Sequence, residues 1–134
     1  MCGLPMYSQI HGTVSFFAVA NGTVVMAEIF GLPSENGIFA VHIHNGTGCT
    51  GNALDPFADA KSHLNLKNNE HPFHTGDLMP LFSNNGYAWN AFYTDRFRPE
   101  EIKGLPVIIH LNPDDFHTQP SGNSGNKIAC GIIR

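Results

Sequence analysis

The chain has 134 residues and a mass of 14.6 kDa, enough for one domain over 1–134 and too little for two well-packed cores. Seven basic against eleven acidic side chains leave a net charge of −4, so there is no basic footprint for nucleic acid. No apolar run approaches the roughly 18 residues of a spanning helix, so no membrane partner is expected.

Apolar and β-branched runs are short and punctuated by Gly, Asn and Pro, the pattern of strands rather than helices. Residues 13–20 and 23–30 flank Asn21-Gly22, a dipeptide suited to positive φ at both positions of a two-residue hairpin turn. Further strands are expected at 37–44, 87–95, 105–111 and 127–133, and Pro99 can open one short helical turn. The stretches 45–73 and 112–126 are longer than most connections in a compact fold, and long loops on a β scaffold usually carry function. The expectation is an all-β Greek-key sandwich or flattened barrel of about eight antiparallel strands with two functional loops.

Eight histidines are the unusual feature. His42 and His44 flank Ile43, and at i and i+2 on a strand their rings share a face about 6.6 Å apart. His110 ends the apolar run that starts at Leu105, also at a strand terminus. His71, His74 and Asp77 stand in a stretch where Pro72 and Gly76 oppose a regular helix, so they are expected to wrap a point within a loop. With His63 these make seven plausible ligands, better suited to two metal sites than to one. An all-imidazole set suits copper among the late metals, and a set of imidazoles with one carboxylate suits zinc. His63 can serve both if it uses both ring nitrogens.

The stretches Val41-His-Ile-His44, Gly48-Cys-Thr50, Ser62-His-Leu-Asn65, His74-Thr-Gly-Asp-Leu78, Val107-Ile-Ile-His110 and Ile128-Ala-Cys-Gly131 together resemble the copper,zinc superoxide dismutases, in the family's order. The resemblance implies copper on His42, His44, His63 and His110, and zinc on His63, His71, His74 and Asp77. His63 would be the bridging and catalytic imidazole. Asp114 falls where the family has a carboxylate that hydrogen-bonds one imidazole of each site, and Cys49 and Cys130 match the family's disulfide. Lys127 takes the place of an arginine beside the copper; it keeps the charge that would attract an anion and loses the planar fork. His117 and His11 have no role in the family pattern and read as solvated surface residues.

The implied activity is conversion of superoxide to oxygen and hydrogen peroxide by Cu(II)/Cu(I) cycling. The alternative is a nonenzymatic copper or zinc store or chaperone on the same fold, although all four copper positions are filled here. The resemblance also admits a homodimer through an apolar patch. Met1-Cys-Gly-Leu-Pro lacks the basic start and apolar stretch of an export signal. The chain as written therefore reads as cytoplasmic, or as an exported mature form if a signal has been trimmed; a disulfide fits the second setting better.

Overall fold

The structure is a computed structural model that describes residues 1–34 and 37–134. Among the described residues there are nine strands: β1 (Cys2–Gly3), β2 (His11–Val19), β3 (Gly22–Phe30), β4 (Ile38–Phe39), β5 (Val41–Ile43), β6 (Leu81–Phe82), β7 (Ala88–Thr94), β8 (Pro106–His110) and β9 (Lys127–Ile132). All pairings are antiparallel. Seven strands form one sheet in the order β5-β8-β9-β1-β2-β3-β7, while β4 pairs only with β6. The sheet curls into a half-barrel. The β4–β6 pair lies between its ends, because Ala40 carries the chain from β4 into β5 and the Asn90 amide on β7 donates to Pro80 O beside β6.

The long strands follow the sequence pattern within a residue or two. The hairpin turn is shifted by one position from the Asn21-Gly22 expectation: Val19 faces Gly22 across the ladder, so Ala20 and Asn21 turn, and of these only Asn21 has positive φ, 62°. Gly22 is needed for a different reason, since a Cβ there would run into Thr94 O of β7. The single strand expected over 37–44 divides at Ala40, whose N–H donates to Asn112 O while its carbonyl accepts from His110 N. Those bonds commit Ala40 to the 110–112 segment and hand the chain from one ladder to the other. Pro99–Glu101 forms the expected short turn, with Glu101 capping the Arg98 N–H. No helix is long and apolar enough to cross a membrane among the described residues.

Ile29, Phe39, Ile43, Ile109 and Ile128 fill the inside of the curl. A smaller cluster of Phe57, Ala60, Ile108 and Cys130 lies on the outer face of the β8–β9 end, covered by the first long loop. The Cys49–Cys130 disulfide ties that loop to β9, with Cα atoms 5.7 Å apart at a sequence separation of 81. Closing a loop of that length contributes about 4.5 kcal/mol in the chain-entropy view.

Candidate metal centre

Alternation along β5 decides where the histidines go. Ile43 is buried in the inner core, so His42 and His44 on either side of it point to the outer face. His42 faces Ile108 across the ladder, and Ile108 is on that same outer face. On β9, Ile109 faces Ala129 but His110 faces Lys127, leaving Ile128 as an extra residue. This bulge buries both Ile128 and Ala129 in the core and still brings His110 and Lys127 out on the side of His42 and His44.

The segments around His63 and Gly76 lie on the free edge of β5. Ile43 N donates to Gly76 O, Leu64 N to Ile43 O and Gly76 N to Leu64 O, at 2.8–2.9 Å. Gly76 permits this approach, because any Cβ there would strike Ile43 O. His63 is thereby set beside His44, and Asp77 beside His42, as bridge partners. The rings of His42, His44, His63 and His110 each offer a nitrogen within 4.8 Å of the others, and all four residues are buried.

The outer nitrogens fix the inner ones. His44 Nδ1 lies 2.7 Å from Lys61 O and His110 Nδ1 3.1 Å from Gly125 O. A carbonyl only accepts, so each Nδ1 carries the hydrogen and each Nε2 presents a lone pair inward. Those two Nε2 atoms are 3.3 Å apart. Asp114 does the same for one ring on each side, with Oδ2 2.8 Å from His42 Nε2 and Oδ1 2.7 Å from His71 Nε2. His42 Nδ1 and His71 Nδ1 are left buried without a hydrogen-bond partner, as is His63 Nε2. His71 Nδ1 is 3.0 Å from Asp77 Oδ2, but a lone pair facing a carboxylate oxygen is no hydrogen bond and calls for a cation. Buried electron-rich atoms gathered without donors are what metal ligation requires.

Around Asp77, His63 Nδ1 is 2.8 Å from Oδ1 and His74 Nδ1 is 3.2 Å from Oδ2 and 3.4 Å from His63 Nδ1. Proximity alone would also group His42 with His63, His71 and Asp77. His42 Nε2 is taken by Asp114, however, and its Nδ1 belongs to the four-imidazole pocket, so His74 is the better fourth member of the carboxylate set. His63 belongs to both groups.

Burial favours the neutral form of His42, His44 and His110, the form that ligates. Desolvation lowers the pKa of His44 to about 2, of His110 to about 3 and of His42 to about 4, the last despite the opposing bond from Asp114. The His74 pKa is also lowered by desolvation. Burial pushes the Asp114 carboxyl up, but the hydrogen bonds from His42 and His71 outweigh it and bring the pKa down to about 2. Asp77 is likewise below the usual range, burial being outweighed by the His63 bond and neighbouring imidazoles.

His44, His63, His110, Lys61 and Lys127 line a pocket of about 540 Å³ that opens over the four-imidazole group. Lys127 does not reach into it as a free cation. Its Nζ lies 2.7 Å from Asp55 Oδ2 and 3.2 Å from Phe57 O. The carbonyls of Lys61 and Gly125 were not identified from sequence, since a backbone acceptor has no residue signature, and neither was Asp55, which meets Lys127 across 72 positions of chain. His117 stands outside both groups, exposed, its Nε2 3.8 Å from Asp115, and His11 is exposed and stacked on Phe30.

The family model for copper/zinc superoxide dismutase matches residues 10–133. "Superoxide dismutase [Cu-Zn] 2" of Aquifex aeolicus is 30% identical, with 94% of this chain and 80% of that protein covered. The "Superoxide dismutase [Cu-Zn]" of Photobacterium leiognathi is 31% identical over 92% of this chain and 78% of its own. Among solved structures, the Cu/Zn superoxide dismutase from Brucella abortus superposes with a TM-score of 0.80 at 26% identity, covering 92% of this chain and 88% of that one. The clock protein EA4 superposes with a TM-score of 0.79 at 28% identity, over 94% and 88% of the two chains. A match along nearly the whole length, with relatives at 30% identity and above, means that the chain belongs to the copper/zinc superoxide dismutase family, oxidoreductases that carry copper and zinc.

Proposed function

We propose that this chain dismutates superoxide at a paired centre, with copper on His42, His44, His63 and His110 and zinc on His63, His71, His74 and Asp77. The observation that carries this reading is the position of His63: Nδ1 is 2.8 Å from the Asp77 carboxylate, Nε2 is buried without a partner, and the residue belongs both to the four-imidazole group and to the group around Asp77. Copper bound there supplies one-electron redox chemistry, and zinc, which has none, supplies fixed positive charge.

The rest is done by the protein. Lys61 O, Gly125 O and Asp114 hold the rings so that lone pairs converge. His63, anchored through Nδ1, takes a proton at Nε2 in one half of the cycle and delivers it to the reduced substrate in the other. The pocket admits a small anion to the face lined by His44, His63 and His110. Lys127 contributes a positive charge at the wall that Asp55 largely offsets, so its pull on the substrate is weaker than an unpaired lysine would give. For a homodimer, Phe17, Val24 and Tyr93, which form one row across β2, β3 and β7, offer an apolar outer face.

Metal analysis of two variants tests the assignment. His110→Ala should lose copper and dismutation while keeping zinc, and Asp77→Ala should lose zinc first. Retention of copper and activity by His110→Ala would remove His110 from the copper set.

A further inference from the structure

Arg96 follows β7 and lies outside both donor groups. Its Nη1 is 2.9 Å from Pro72 O, 3.1 Å from His74 O and 3.3 Å from Asp77 O. Three carbonyls share the two hydrogens of one nitrogen, so at least one bond is three-centred. Among the described residues Arg96 makes no ion pair, so its charge is spent on backbone oxygens. Its guanidinium carbon also stands 6.0 Å from the centre of the Phe73 ring.

All three oxygens belong to the segment that carries His71, His74 and Asp77. That segment has no regular secondary structure to hold it. Its internal backbone bonds are few: Phe73 N to Glu70 O at 2.7 Å and Asp77 N to His74 O at 3.2 Å. Gly76 ties the segment to Ile43 and Leu64, and His71 ties it to Gln119, but the converging carbonyl dipoles of Pro72, His74 and Asp77 repel one another, and the guanidinium between them offsets that repulsion. We infer that Arg96 is a positioning residue for the zinc site: from a neighbouring connection, it clamps the loop into the shape in which its three donors meet. This inference rests on the zinc assignment above.

Zinc affinity of the metal-free protein, read by competition with a chromophoric chelator, tests it, with Asp77→Ala as the control for the assignment. Arg96→Gln should weaken zinc by about 10- to 100-fold, the usual effect of losing an outer support of a metal ligand. Copper affinity of the zinc-free protein and the melting temperature of the metal-free protein should barely move. Arg96→Lys, which keeps the charge on a single nitrogen, should fall between Arg96→Gln and the wild type. Zinc affinity of Arg96→Gln within about twofold of wild type, or equal losses of zinc, copper and melting temperature, would overturn the inference. Should the glutamine variant fail to fold, Arg96→Lys decides: weaker zinc with unchanged copper supports the clamp, and unchanged zinc overturns it. An Asp77→Ala protein that still bound zinc at full strength would instead overturn the zinc assignment.

Discussion

Asp114 accepts from one imidazole of each candidate site, through Oδ2 from His42 and Oδ1 from His71. An amide in its place can accept from one imidazole but must point N–H at the other, which turns that ring's hydrogen inward. Asp114→Asn should therefore weaken copper or zinc by about 10- to 100-fold, and isothermal titration of each metal would measure it. Gly122 covers this carboxylate with φ 68°, and a Cβ there would run into Asp114 Oδ1 and stand 2.6 Å from His71 Nε2. Gly122→Ala should cost the metal-free protein at least about 1–3 kcal/mol in denaturant unfolding. Asp55 sets the charge of the pocket wall: Asp55→Asn frees Lys127, and pulse radiolysis at low ionic strength should give a rate roughly two- to fivefold higher, with steeper salt dependence. An unchanged rate would remove Lys127 from steering.

At the scale of elements, the strands were legible because each has a face to bury. The alternation of β3 and the apolar run of β8 read as strands without any tertiary knowledge, and His-x-His on β5 predicted two rings on one face. The two-residue strands β1 and β6 were not anticipated, because two residues carry no period; they exist through the strands they lie against, β9 and β2 for β1 and Ile38 and Phe39 for β6. The ligand-bearing loops were legible as long irregular stretches with clustered histidines. What holds them was not: Gly76 against Ile43, Arg96 against three carbonyls and the Ile128 bulge all depend on backbone atoms brought together by folding. The Cys49–Cys130 link belongs to this scale too, since it fastens the loop whose Lys61 carbonyl orients His44. Reduction of that disulfide should lower stability by up to about 4.5 kcal/mol and lower copper affinity, measurable on the alkylated protein.

For the whole molecule, the buried histidines dictate a response to acid. His42, His44 and His110 have folded pKa values of about 4, 2 and 3 against 6.5 for a free imidazole. Between those limits the unfolded chain binds more protons, so stability is complete above pH 6.5 and is lost as pH falls below it. The depressed carboxylates Asp77 and Asp114 add a second loss that begins only near 3.8. The melting temperature of the metal-free protein should fall from pH 7 to 5, before Asp77 and Asp114 protonate, and His44→Gln should flatten that fall. A level profile across that range would show that the pocket admits water or charge.

The central claim is that one imidazole, His63, joins two metal sites. Loading copper together with cobalt(II) in place of zinc and recording the electron paramagnetic resonance spectrum tests it directly, because a shared imidazolate couples the two spins. The account predicts that the Cu(II) signal collapses when cobalt is added and persists in His63→Gln. A full, unperturbed Cu(II) signal in the cobalt-loaded wild-type protein would contradict it.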